Sequence, residues 1–175
     1  MIMNLPKVIQ DFFESSPVSL VAGSGGPLSV SEIKIFYEQE IASQVKDQTF
    51  GQLTYAGLLM AQDYIWEAHE IVQDYPVMES SWWHAFMHRM EGDYSNADYW
   101  YRRVGQPSLY VDLQRVVKGT CAAAELSSLQ ADWDPFLFNN LIPKYIKTSC
   151  KSSLEQIHRK EWEILFAACL QKAIN

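Results

Sequence analysis

Trp82-Trp83-His84-Ala85-Phe86-Met87-His88-Arg89-Met90-Glu91-Gly92-Asp93 is the stretch from which both the fold and the chemistry of this chain are read. Trp83, Met87 and Met90 recur at i, i+4 and i+7, which places them on one helical face turned inward. His84, His88 and Glu91 form the adjacent stripe at the same spacing. Glu79 or Ser80 is the expected cap at the start, and Gly92 stands where a helix closes on a left-handed glycine. Immediately upstream, Leu58, Ala61, Ile65, Ala68 and Val72 form the apolar stripe of a predicted helix from Leu53 to Asp74. Asp63, Glu67, Glu70 and Asp74 give that helix a solvated acidic face, and His69 falls at its buried edge. Tyr75-Pro76 stops it. Downstream, Ser95 with Asp98 predicts a short helix over Asn96 to Val104, closed by Gly105 and Pro107. Residues 53–105 therefore read as a core helical hairpin with its closing helix.

Working outward, Leu5 to Glu14 carries helical spacing and ends at Ser15-Ser16-Pro17. Residues 17–29 are rich in glycine and read as a flexible loop, because no Gly-Lys-Ser/Thr follows to make a phosphate-binding turn. Ser29 with Glu32 forms a capping box for the next helix, and Gly51 interrupts the pattern. Leu109 to Gly119 is a further helix, while Cys121 to Asp132 is open between helix and irregular chain. Asp134-Pro135 is a helix start, and Ser152 with Glu155 opens a last helix along Leu154, Ile157, Trp162, Leu165, Ala168 and Cys169. His158 lies beside that last stripe. No segment has the alternation of a strand. The reading is all-α: a single domain over 1–175, an irregular bundle of about six to eight helices.

Composition narrows the function classes. With 48% hydrophobic and 20% charged residues the chain is globular, not disordered. A net charge of -7 argues against a nucleic-acid binder, which needs a basic face. No apolar run approaches the ~20 residues that span a bilayer, and the N-terminal residues lack the pattern of a signal peptide. Cys121, Cys150 and Cys169 are widely spaced with no CxxC, so they read as reduced thiols of a cytoplasmic protein.

The chemistry concentrates around the histidines. His69, His84, His88 and His158 come from three predicted helices and each falls on or beside an apolar stripe. Ionisable groups at buried seams are paired or functional, so a shared polar pocket is expected. The candidate ligand-binding set is His69, His84, His88, Arg89, Glu91, Asn96, Tyr99 and Arg103. In it Arg89 and Arg103 would clamp an anionic group, with Asn96 and Tyr99 orienting it. A metal reading competes: His84 and His88, one turn apart, with Glu91 as third ligand, would hold a divalent first-row ion. Neither His-Glu-x-x-His nor paired Glu-x-x-His motifs accompany it. The plainest alternative is that the histidines bond buried carbonyls and the charged residues lock the Gly92 turn, with Glu91 paired to Arg103. No nucleophile motif is present, and whether the chain is an enzyme stays open.

Two resemblances add to this. Gly92-Asp93-Tyr94-Ser95-Asn96-Ala97, with Tyr101 and Pro107, resembles the middle of a tetratricopeptide repeat, which would present Tyr94, Tyr99 and Arg102 to a protein partner. No second copy follows at the ~34-residue period. More broadly, His69-Glu70, Gln73-Asp74, Trp83-His84-Ala85, His88-Arg89, Glu91-Gly92-Asp93, Asn96-Ala97, Tyr99-Trp100, Arg102-Arg103 and Gly105 resemble the motif of a family of uncharacterised helical proteins from bacteria and fungi. This chain departs from that motif at Met90 and Gln106, where the family pattern carries Arg and His. The resemblance implies an all-helical fold and places the motif, and it transfers no activity.

Overall fold

The computed structural model describes residues 5–23, 25–120 and 124–175, and no strand occurs among them. Among the described residues nine α-helices follow in chain order: α1 (Lys7–Ser15), α2 (Val30–Glu40), α3 (Gln48–Ala61), α4 (Ile65–Val72), α5 (Met78–Met90), α6 (Tyr94–Val104), α7 (Leu109–Thr120), α8 (Pro135–Tyr145) and α9 (Lys151–Ile174). Short 3-10 turns occupy Ala42–Gln44 and Ala124–Gln130. The all-helical class is as expected, with more and shorter helices than the six to eight anticipated. Met1 to Asn4, with the signal-peptide reading attached to them, and Cys121 lie outside the described residues. Cys150 and Cys169 are buried.

Helix α5 is buried nearly all round, including Trp82, Trp83, Phe86, Met87 and Met90, which marks it as a central rather than a surface helix. Helix α6 folds back along it, α4 also packs against it, and α9 packs against α3, α5 and α7. A single apolar cluster runs from Ile9 to Leu170. At the junction of α1, α3, α5 and α9, the rings of Phe13, Trp162 and Phe166 meet edge-on and stacked at centroid distances of 4.5, 4.9 and 5.2 Å. Gly57 is what lets α3 come this close. A Cβ there would sit 2.9 Å from Trp83 Cζ2 and 3.0 Å from Phe166 Cδ2, and the Gly57 carbonyl accepts from Trp162 Nε1 at 3.0 Å.

Several local expectations change. The helix anticipated over Leu53–Asp74 is two, broken at Asp63, which adopts φ 67°. Aspartate tolerates that conformation, and its carboxylate accepts the N–H groups of Gly23 (2.7 Å) and Gly25 (2.9 Å). Asp63 thus leaves the acidic face of the helix and holds the glycine loop. That loop is an anchored strap and not a free connector. Val18 N–H reaches Ala61 O at 3.1 Å, Ala22 N–H reaches Met90 O at 2.8 Å, and Gly26 N–H reaches Gln62 O at 2.9 Å. Gly51 lies inside α3, where any Cβ would meet Val45 Cγ1 at 2.7 Å. The capping box of Ser29 with Glu32 and the Asp134-Pro135 start are present. Helix α5 instead begins after Val77 without a side-chain cap, Asp93 rather than Ser95 caps α6, and α9 starts at Lys151 without the Ser152–Glu155 box.

The core is not purely apolar. Arg89 and Glu161 are both fully buried and form an ion pair between α5 and α9. Arg89 Nε donates to Asn139 Oδ1 at 2.7 Å, and Nη2 donates to the Tyr101 hydroxyl at 2.5 Å. Tyr101 in turn donates to Glu161 Oε1 at 2.7 Å, which also accepts from Trp82 Nε1 at 2.8 Å. The guanidinium lies over the Phe138 and Tyr101 rings at 4.8 and 5.0 Å. Burial alone would lower the Arg89 pKa; the Glu161 carboxylate and Tyr101 outweigh it and hold the guanidinium above its ordinary value. Four helices, α5, α6, α8 and α9, are therefore joined by one satisfied polar network, and Asn139 extends it to Asp98 at 2.8 Å.

Removing one member strands the other charge. Arg89→Met is expected to destabilise the fold by about 3–5 kcal/mol, read from the urea midpoint. Adding Glu161→Gln to it should cost at least about 1 kcal/mol less than the sum of the single changes, whereas additivity would mean the two do not couple. At the aromatic junction, Gly57→Ala should cost about 1–3 kcal/mol through overpacking, seen as a lowered Tm.

Candidate functional site

The break at Asp63 and the short connection after Val72 turn the last part of α4 toward α5. His69 thereby meets His84 at a ring-centroid distance of 5.1 Å and His88 at 6.2 Å, and His84 and His88 are 6.4 Å apart. The three imidazoles do gather, as the sequence led us to expect. Helix α6 adds a layer that spacing did not reveal. Trp100 stacks on His84 with centroids 4.0 Å apart and planes 14° from parallel. The Arg103 guanidinium sits 5.2 Å from the Trp100 ring centroid, and its Nη1 is 3.4 Å from the Tyr99 hydroxyl. Imidazole, indole and guanidinium form a stack from the interior outward.

His84 is 2% exposed. Its Nδ1 lies 3.2 Å from the Ser80 carbonyl, which can only accept, so Nδ1 carries the proton and Nε2 keeps its lone pair. Burial lowers the His84 pKa to about 4; the Ser80 carbonyl opposes this, and His69, His88 and Arg103 add to the lowering. The ring is neutral at pH 7. His88 differs: its Nδ1 is 2.7 Å from Glu91 Oε2, with Asn96 Nδ2 3.5 Å from the same nitrogen. Beside the cluster, a groove of about 690 Å³ is walled by the α4–α5 connection and α6, with Tyr75, Met78, Ser80, His84, Trp100 and Arg103 among its lining. His84 is the member of the cluster that reaches this groove.

Other expected members go elsewhere. Arg89 belongs to the buried network with Glu161 and cannot clamp a ligand, because α5 turns it to the face opposite the groove's polar wall. Glu91 pairs with His88 rather than with Arg103. The metal set His84, His88 and Glu91 is not assembled: among the described residues no three His, Cys, Asp or Glu side chains are grouped to hold an ion. The Ser80 carbonyl takes His84 Nδ1, and the Glu91 carboxylate turns to His88 Nδ1. His158 is not part of the cluster. It stacks on Phe86 at 4.0 Å, and its Nε2 lies 3.1 Å from the Ser19 carbonyl. Of the face expected to meet a protein partner, Tyr99 is 50% exposed and Arg102 is exposed, 5.8 Å above the Phe136 ring, but Tyr94 is partly buried against the core.

Glu161, the residue most missed, had a signal. It stands at i, i+4, i+7 and i+11 with Leu154, His158 and Leu165 on the buried stripe of α9. A carboxylate on an apolar stripe requires a buried cation, and Arg89 occupies the matching position with Trp82 and Phe86 on α5. Set against protein-family models, curated proteins and solved structures, the chain matches none of them. The geometry of the site therefore carries the functional argument.

Acid should expose the neutral state of His84. Its folded pKa of about 4 lies below the ordinary value near 6.5, and His158 is lowered in the same direction, chiefly by burial and then by Arg89. The unfolded chain thus binds protons first as pH falls. Stability is fully present above about pH 6.5 and declines progressively toward pH 4. Urea unfolding across that range measures the decline. Histidine NMR should show His84 still neutral at about pH 5, and a His84 midpoint near 6.5 would contradict the assignment.

Proposed function

We propose that the groove between the α4–α5 connection and α6 binds a small polar or anionic ligand. The observation that carries this is the stack of His84, Trp100 and Arg103. It holds a guanidinium at the groove mouth on an aromatic base and places a neutral imidazole, with its tautomer set by Ser80, at the wall. An arginine resting over an indole can direct N–H groups at carboxylate or phosphate oxygens while losing little side-chain freedom on binding. His69 and His88 back the ring of His84 and shape its electrostatics. The ligand set this reading retains is His84 and Arg103, with Tyr99 beside the guanidinium and His69 and His88 behind. Catalysis is not part of the proposal.

A second reading, the tetratricopeptide-like interaction face, has less behind it, since Tyr94 packs against the core and leaves Tyr99 and Arg102 to present that face. A metal function would require the three imidazoles to rearrange.

The test is titration with inorganic phosphate and with short dicarboxylates, followed by NMR of the histidine and Trp indole signals. Binding should perturb Trp100 and His84, and Arg103→Met should weaken it by at least about tenfold, as expected when one charge-assisted contact is lost. Perturbations that ignore Arg103→Met, or no response to either probe up to millimolar concentration, would remove the reading.

A further inference from the structure

Helix α4 carries a feature the groove does not use. Trp66 is 71% exposed, the most exposed of the large hydrophobic residues described. The other five tryptophans of the chain are buried or half-buried and all stand against other rings. Trp66 makes no ring–ring contact among the described residues. Ile65, Ala68 and Val72 already hold α4 to the core, so nothing in the fold requires an indole on the outer face. A large exposed apolar ring is the kind of surface feature that calls for an explanation.

Its surroundings are of one sign. No Lys or Arg occurs between Lys46 and Arg89 in the sequence. Glu67 and Glu70 are exposed with Trp66 on α4, both on the same side of it, and Asp74 follows just beyond the helix. Elsewhere several exposed carboxylates sit one turn from a cation, as in Lys7–Asp11, Lys34–Glu38, Asp112–Arg115 and Lys151–Glu155. Among the described residues Glu67, Glu70 and Asp74 enter no ion pair. An indole face attracts a guanidinium or ammonium group through its quadrupole, and the two carboxylates beside it, on one side of the ring, reinforce the same preference. Phosphate-bearing surfaces are repelled by the same charges.

We infer that the outer face of α4, Trp66 with Glu67 and Glu70, docks an Arg- or Lys-bearing segment of a protein partner. A lone tryptophan on a convex helix offers a platform for an extended cationic side chain. It does not offer the several-walled cage that a small quaternary ammonium ligand needs. Trp66, Glu67 and Glu70 do not line the Arg103 groove, whose cation selects the opposite charge, although Asp74 does.

The experiment titrates the whole chain with a synthetic peptide of alternating Arg and Gly, and with the same peptide carrying citrulline for every Arg. Tryptophan indole N–H signals report the contact, with the Trp66 signal assigned from Trp66→Phe. The Arg peptide should shift the Trp66 signal, the citrulline peptide should not, and Trp66→Ala should weaken binding at least about tenfold. Because the ring is solvated, Trp66→Ala should keep its fold by circular dichroism. If it does not, Glu67→Gln with Glu70→Gln should give the same loss of binding. Binding that both variants leave unchanged would mean general adsorption to an acidic protein and would overturn the proposal. So would failure of the Arg peptide to shift Trp66, or Trp66-dependent binding to phosphatidylserine vesicles in place of the peptide.

Discussion

An arginine placed in the interior of a protein has few acceptable surroundings, and Arg89 has been given one that satisfies its charge and engages all three guanidinium nitrogens. Its partner carboxylate on α9, the Tyr101 hydroxyl on α6 and the Asn139 side chain on α8 fix how those three helices meet α5. Apolar packing alone allows helices to slide or rotate by small amounts at little cost. A buried ion pair with directional hydrogen bonds does not, since a shift leaves charge unpaired where water cannot reach it. Whether such a pair adds net stability over an apolar substitute is a separate matter, and the usual balance is near zero. Its role here is to set the orientation of α5.

That orientation determines the rest. With Trp82, Phe86 and Arg89 turned to the network, the His84 and His88 stripe is presented to α4 and to α6. The same hairpin that brings Tyr101 to Arg89 brings Trp100, its neighbour in sequence, to His84. One helix thus couples the polar core to the wall of the groove, and two adjacent residues of α6 serve the two faces. Gly92, at φ 78°, closes α5 tightly enough for that register, because a residue with Cβ is strained in this conformation.

Much of this was legible beforehand. The helical class follows from periodicity, the Ser29 and Asp134 caps from side-chain chemistry, and the meeting of His69, His84 and His88 from stripes facing a common seam. What was not legible depended on tertiary partners. The Leu53–Asp74 run looks continuous because its apolar spacing survives the break. Only the backbone N–H groups of Gly23 and Gly25, far off in sequence, explain why Asp63 leaves helical geometry. From its motif alone Arg89 reads equally as an anion clamp and as a lock on the Gly92 turn. Its distance from the groove becomes clear once Glu161, on the other long helix, is recognised as a carboxylate within an apolar stripe. The pairing of Glu91 likewise went to the nearer His88 and not to a residue on the next helix.

The central claim is that Arg89 is an integral part of the core while Arg103 is a solvent-facing group at the groove. Hydrogen exchange of the two guanidinium Nε–H groups, resolved by nitrogen-15 NMR, tests this most directly. Arg89 Nε–H should exchange only through global unfolding, with a protection free energy that tracks overall stability, while Arg103 Nε–H should exchange without measurable protection. If Arg89 exchanged as freely as Arg103, the buried network could not be what orients α5.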